Sequence, residues 1–310
     1  MIKKVLGTIS ALIITVSLAG CSNNEAIQTN INSNKINVVT SFYGMKALVE
    51  EIGKDKVQIY NIVPEGTEPH DFEPKAKDME KINEAKLFII NGAGMESWSE
   101  KVINAINNDS LQVINSSKGV EFIKSEDSHP EEESNENEED HGEYDPHTWL
   151  GIEAAKVQGK NIMEALTKAD QDNKEFYEGN YKEFEVAMNE LLNTYKPKFN
   201  ELANKNFITG HATFGYLCKD LGLEQNSIEG VFSEGEPSPK KLEELVNYVR
   251  ENNVKVIFTE TLSSPEVSET LAREVKGKTE KIYTMHSSED NKTFVEAMRY
   301  NVETIYNSLK

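Results

Sequence analysis

Four histidines, His70, His147, His211 and His286, each occupy a position that reads as a loop junction, spread over more than two hundred residues. Their surroundings are Glu68-Pro69-His70-Asp71, Asp145-Pro146-His147-Thr148-Trp149, Gly210-His211-Ala212 and Met285-His286-Ser287. The other two of the six histidines, His129 and His141, fall in an acidic low-complexity run. Imidazole nitrogen suits zinc, copper, nickel and iron better than oxygen-preferring manganese. A lone histidine is more often a hydrogen-bonded structural residue than a ligand. Four at turns, three of them beside a Pro or Gly, shift that balance. A helix-borne His-Glu-x-x-His motif draws its donors from one segment. Donors this scattered need a fold that carries several loops to one point, as a cleft between two lobes does.

The elements that would carry those loops alternate along the chain. Strand-like runs at Ile36–Ser41, Val57–Val63, Leu87–Asn91 and Leu111–Asn115 are separated by helical runs at Tyr43–Ile52, Ala76–Ala85 and Trp98–Asn107. The pattern returns with strands at Phe207–Thr209, Ser227–Phe232, Val254–Thr259 and Lys281–Thr284, and helices at Ala212–Leu221, Pro239–Glu251, Pro265–Val275 and Thr293–Leu309. Such alternation predicts βαβ units and mainly parallel sheets. His70, His211 and His286 each follow a strand, and in open α/β sheets binding residues gather at strand carboxyl ends. His147 precedes a helix beginning near Gly151.

Between the halves, Tyr177, Tyr181, Phe184, Met188, Leu191, Tyr195, Phe199 and Leu202 recur every three or four residues. They predict one amphipathic helix of roughly thirty residues, kinked near its end by Pro197. The expected fold class is therefore α/β: two βα lobes joined by one long rigid helix. The expected divisions are a signal segment 1–20, a tether 21–35, a first lobe 36–172, a linking helix 173–203 and a second lobe 204–310.

Lys3 and Lys4 precede an apolar run to Ala19, which ends in Leu18-Ala19-Gly20-Cys21. This predicts a secretory signal, too short and wrongly flanked for a membrane span. Its end resembles a bacterial lipobox, in which Cys21 takes the lipid. Cys218 would then be the only free thiol, read as a buried core residue. Removing residues 1–20 takes away two lysines and no acid, so the formal charge moves from −20 to −22. That balance argues against nucleic-acid binding, which needs clustered Lys and Arg. From Ser125 to Asp145 stand eleven acidic residues, two histidines and no Lys or Arg. This run 125–145 reads as a disordered surface loop. It is either a plain solvated insertion or a weak metal collector beside His147.

Four segments carry a resemblance across nearly the whole chain after the tether. They are Ser41-Phe42-Tyr43, Val63-Pro64-Glu65-Gly66-Thr67-Glu68-Pro69-His70-Asp71-Phe72-Glu73-Pro74, Asp145-Pro146-His147-Thr148-Trp149-Leu150 and Gly210-His211-Ala212-Thr213-Phe214-Gly215-Tyr216. Together they resemble the zinc/manganese-binding lipoproteins of metal ABC importers. The resemblance implies that His70, His147 and His211 are ligands. Histidine at 211, where manganese-type members tend to carry Glu, leans toward zinc. A carboxylate often completes the family's site in the loop after the penultimate strand, a place taken here by His286. The fourth position is then His286, Glu260 or water. Glu68, Asp71 and Asp145 are the sequence-near carboxylates that could orient rings and offset charge.

The function this implies is capture of Zn²⁺ between two lobes and delivery to a membrane permease driven by a separate ATPase. The chain would be monomeric and held by lipid at the outer face of a bacterial membrane. Because ligands must be deprotonated, affinity should fall below a pH of about 6.5. Manganese or nickel carriage of the same type is the alternative. A secreted zinc hydrolase would need an open position and a base; Glu65 or Glu260 could be imagined there, without a His-Glu-x-x-His context. An interaction lipoprotein with a structural metal is the third class.

Overall fold

Successive residues of a strand face opposite ways, and in both sheets of this protein that alternation divides two cores. The structure, a computed structural model, describes residues 35–125, 143–231, 238–261 and 265–310. The signal segment, Cys21 and nearly all of the tether lie outside the described residues, as do His129, His141 and the acidic run between 126 and 142. The first lobe is built by β1 (Ile36–Thr40), α1 (Tyr43–Gly53), β2 (Val57–Asn61), α2 (Ala76–Glu84), β3 (Leu87–Ile90), α3 (Ser99–Ala105), β4 (Gln112–Asn115) and α4 (Ile152–Ala169). The long helix α5 (Lys174–Asn200) follows. The second lobe comprises β5 (Asn206–His211), α6 (Gly215–Leu221), β6 (Glu224–Glu229), α7 (Pro239–Glu251), β7 (Val256–Thr259), α8 (Pro265–Glu274), β8 (Lys278–Lys281) and α9 (Phe294–Leu309).

Both sheets are parallel and share one strand order, β2-β1-β3-β4 in the first and β6-β5-β7-β8 in the second. Each chain half runs outward from its first strand, then crosses to the other side. That reversal leaves a crevice at the carboxyl ends of β1 and β3, and another at those of β5 and β7.

Val38, Leu87 and Ile89 from the first sheet, with Phe207, Val256 and Phe258 from the second, enter one continuous apolar cluster. Their neighbours Val39, Phe88 and Ile90 face a smaller core under α2 and α3, while Ile208 and Ile257 face another under α7 and α8. Helix α5 lays Tyr177, Phe184, Met188, Leu191 and Phe199 into the large cluster and packs on α1 and α4 as well as α6 and α9. The lobes therefore share a core.

Polar braces cross the same boundary. Gly151 at the start of α4 has no side chain with which to cap it, and Asp220 of α6 accepts the Glu153 N–H instead (3.0 Å). In return Glu51 of α1 accepts the Val295 N–H at the start of α9 (3.2 Å). Helix starts leave backbone donors unmet, and here each lobe supplies an acceptor for a helix of the other. Within the second lobe, Ser238 caps α7 ahead of Pro239, and Thr293 with Glu296 forms a capping box on α9.

The strand limits that differ most from expectation lie in the second sheet. β5 runs on to include His211, β6 spans Glu224–Glu229 rather than 227–232, and β8 covers the polar run Lys278–Lys281 rather than 281–284. β6 and β8 are edge strands, where polar side chains are tolerated. Their composition hides them from a search for apolar runs.

A shared core should unfold as a unit. Met188→Ala is expected to cost about 2–5 kcal/mol and to lower a single denaturant transition. Separate transitions for the two lobes, by circular dichroism and tryptophan emission, would contradict this.

Candidate metal centre

His147 is held by a buried polar network at the carboxyl edge of the first sheet. An antiparallel bridge between Lys124 and Tyr144 delivers the chain to Asp145. The Asn91 side chain, just past β3, donates to the Pro146 carbonyl (2.8 Å) and accepts from the Thr148 hydroxyl (2.9 Å). Gln158 of α4 donates to the same Asn91 oxygen (2.8 Å), and Glu96 accepts the Asn91 and Gly92 N–H groups (2.7 and 2.9 Å). Asp145 Oδ1 accepts the His147 backbone N–H (2.9 Å) and lies 2.8 Å from its Nδ1. The ring thus places its proton on Nδ1 and its lone pair on Nε2.

That lone pair points at His70, whose Nε2 stands 3.2 Å away. Two nitrogens on a tetrahedral zinc, each at ~2.0–2.1 Å, would be separated by roughly 3.3–3.4 Å. His70 belongs to the long loop after β2. Glu68 accepts its backbone N–H (3.3 Å), and Glu65 of the same loop accepts the Ser288 N–H of the second lobe (2.8 Å).

His211 ends β5. Both Glu260 oxygens accept its backbone N–H (3.3 and 3.1 Å), and its Nε2 lies 2.7 Å from the Val231 carbonyl. A carbonyl only accepts, so Nε2 carries the proton and Nδ1 offers the lone pair. The ring centroids of His147 and His211 are 4.9 Å apart, and those of His70 and His211 5.8 Å. One ligating atom from each of His70, His147 and His211 falls within 4.8 Å of the others.

His286 is buried beside this trio without joining it at that distance. Its Nε2 has no hydrogen-bond partner. The residue follows Met285, whose left-handed φ of 57° is held by Glu289 accepting the Met285 N–H (3.2 Å). Glu260 is not one of the clustered donors; it orients the His211 backbone. Asp145 is the expected carboxylate that reaches a ring, Glu68 reaches a backbone N–H, and Asp71 is exposed. Nothing local to Asn91 or Glu289 signals a role in the sequence, and Trp149 enters there only as part of the His147 segment.

Burial sets the protonation of the site. It pushes the His147 imidazolium down to about 3, so its contact with Asp145 is a hydrogen bond of a neutral ring and not an ion pair. His286 is held well below the ordinary 6.5 by burial first, then by its proximity to His147, His211 and His70. Burial raises Asp145 to about 7 against the lowering effects of the His147 N–H and His211. It raises Glu68 to about 7 as well, opposed by the His70 N–H and aided by Asp71 and Glu229. At neutral pH His147 and His286 present uncharged rings, as nitrogen coordination of a cation requires. The thiol of Cys218 is buried and pushed far up, which leaves it inert.

Residues 38–308 match the family model described as "Zinc-uptake complex component A periplasmic". The chain is 36% identical over 317 residues to the "High-affinity zinc uptake system protein ZnuA" of Bacillus subtilis (strain 168), covering 100% of this chain and 99% of that one. It is 29% identical over 313 residues to the "Zinc-binding lipoprotein AdcA" of Streptococcus pneumoniae, covering 97% of this chain and 60% of that protein. Among solved structures, the Zn(II)-bound AdcAII E280Q variant of Streptococcus pneumoniae is similar with a TM-score of 0.76 and 32% identity, over 89% of this chain and 99% of that one.

Two outcomes follow for the metal-free protein and its ligand shell. Above pH 6.5 the raised Asp145 and Glu68 keep protons that the unfolded carboxylates have released, so stability is lost as pH rises through about 7. Below 6.5 the unfolded chain protonates His147 and His286 while the folded one does not, which opposes any further gain. The thermal midpoint is therefore expected to fall by a few degrees from pH 6.5 to 8, for about 1 kcal/mol; a rise over that interval would be wrong for this account. Asp145→Ala should weaken zinc binding by roughly 10–100-fold in chelator competition, and unchanged affinity would deny the carboxylate its role.

Proposed function

The chain belongs to the zinc-uptake complex component A family, and from that premise we propose that it is the zinc-capturing component of a metal ABC importer. It takes Zn²⁺ at the meeting of its two lobes and passes the ion to a permease driven by a separate ATPase. The observation that carries this reading is the convergence of His70, His147 and His211, donors from three distant segments, within 4.8 Å of one another. The three rings supply nitrogen donors, which favour zinc over manganese. Copper and nickel bind imidazole at least as well, so metal availability contributes to the choice.

His286 is the fourth donor in this proposal, reaching the ion by a small movement of its loop. Its buried Nε2 without a hydrogen-bond partner supports the assignment, since such a group costs free energy until something occupies it. Glu260 and Asp145 then act on the histidines and not on the metal. The carboxylates that a hydrolase would need as a base are engaged elsewhere. Glu260 binds the His211 N–H, and Glu65 binds the Ser288 N–H and pairs with Lys46 (3.4 Å). This supports carriage of the ion over catalysis.

The protein acts outside the cytoplasm, extracellular or periplasmic as its family is. Lipidation of Cys21 as the anchor, a monomeric state, and the division into lobes 36–172 and 204–310 around a linker 173–203 complete the proposal. Among the described residues, no helix is long and apolar enough to cross a membrane.

Metal analysis of protein purified without added metal should find about one zinc per chain. His147→Ala and His211→Ala should each weaken zinc by more than about a hundredfold, beyond the ~10–100-fold typical of residues that only support a ligand. His286→Ala should cost about tenfold, in line with a donor completing an otherwise intact trio. Zinc binding that survives His147→Ala unchanged would defeat the assignment.

A further inference from the structure

Trp149 is fully buried, two residues after His147, and its indole Nε1–H donates to the Thr284 carbonyl at 2.9 Å. Thr284 lies two residues before His286. A single hydrogen bond thus joins a side chain next to one histidine of the first lobe to the backbone near one of the second. The ring also touches both histidines. Its centroid is 5.3 Å from that of His147 and 5.8 Å from that of His286. Phe42 packs edge-on against it at 4.6 Å and also faces the His286 ring at 6.3 Å. Gly44 makes room for this pair. A Cβ there would meet Phe42 at 2.7 Å and Trp149 at 3.1 Å.

Ordinary core packing explains the burial of the indole and the satisfaction of its N–H. It does not explain why the acceptor belongs to the His286 loop. That loop turns through Met285 in the left-handed region, an uncommon conformation for a side chain of that size. Two groups hold it there from opposite sides: Glu289 on the Met285 N–H, and Trp149 on the Thr284 carbonyl. His286 Nε2 makes no hydrogen bond of its own. Those two anchors hold the backbone ahead of it, and Phe42 and Trp149 wall its ring.

We propose that Trp149 is a positioning residue for zinc, the strut by which the first lobe places His286 opposite the three clustered histidines. Breaking its bond to Thr284 lets the His286 loop withdraw from the ion while the trio stays in place. The inference rests on the zinc-site reading above and goes beyond it by naming what sets the fourth donor.

The test is a double-mutant cycle in zinc affinity, by chelator competition, on the wild-type chain, Trp149→Phe, His286→Ala and the double variant. Phenylalanine keeps an aromatic ring and removes only the N–H donor and part of the indole. Trp149→Phe is expected to weaken zinc about tenfold, as His286→Ala does, and the double variant to be no weaker than His286→Ala alone. Additive losses, no loss in Trp149→Phe, or no loss in His286→Ala would overturn the inference. A hundredfold loss in His147→Ala with none in Trp149→Phe would overturn it while leaving the metal site intact. Unchanged binding in His147→Ala would remove the site and the strut together.

A second measurement leaves Trp149 in place. The chain has two tryptophans, so ¹⁵N-indole labelling gives two resonances, assigned with Trp98→Phe. Trp98 stacks on Phe88 in the outer core and its Nε1 has no partner, so that change removes no hydrogen bond. Coupling is reciprocal. Zinc should slow hydrogen exchange of the Trp149 indole N–H in the wild type, and fail to do so in His286→Ala at saturating zinc. Equal protection with and without zinc in the wild type would overturn the inference.

Discussion

His147 has no exposed surface, and the cost of charging its ring there governs the rest of the site. With protonation pushed down to about 3, His147 keeps its lone pair well below pH 6.5, so the acid loss of affinity expected of ordinary histidines does not come from this ring. Asp145 then decides where the one ring proton sits, which directs Nε2 toward His70. On the side of His147 and His211 a bound cation would meet buried groups, its charge faced by nitrogen donors and by the carboxylate behind His147. The site combines buried imidazoles, neutral at His147 and His286, with two buried carboxylates, Asp145 on the His147 ring and Glu260 on the His211 backbone. This makes binding depend on desolvation as much as on the identity of the ligands.

Placing donors from distant segments requires the two sheets to be fixed relative to each other. The shared core does this, with Phe184, Met188 and Phe199 of the long helix packed into a cluster fed by both sheets. Asp220 and Glu51, each capping a helix of the opposite lobe, add directional contacts to a cluster that has none. Such a body resists hinge motion. The loops of His70 and His286 lie outside that core, held by individual hydrogen bonds and linked to each other through Glu65 and Ser288.

Much of this was legible from residue patterns. The alternation of apolar runs gave the parallel sheets, and the three- and four-residue spacing of Tyr177 to Phe199 gave the long helix. The histidines stood out because turn residues flank them. Other features had no local signature. β8 is Lys-Thr-Glu-Lys, an edge strand whose stability comes from its partner β7 and not from its own composition. Glu260 looks the same in sequence whether it binds a metal or a backbone N–H; only the fold places both its oxygens on His211. Asn91 and Trp149 act through contacts with residues more than fifty positions away, and no spacing rule reaches that far.

Zinc-edge X-ray absorption of the loaded protein addresses the coordination directly, because it counts donors and measures their distances without substitution. The expected spectrum has at least three imidazole nitrogens at about 2.0–2.1 Å, with the multiple scattering of their rings and no sulfur near ~2.3 Å. A shell dominated by oxygen, or one containing fewer than three imidazoles, would contradict the convergence of His70, His147 and His211 on one ion.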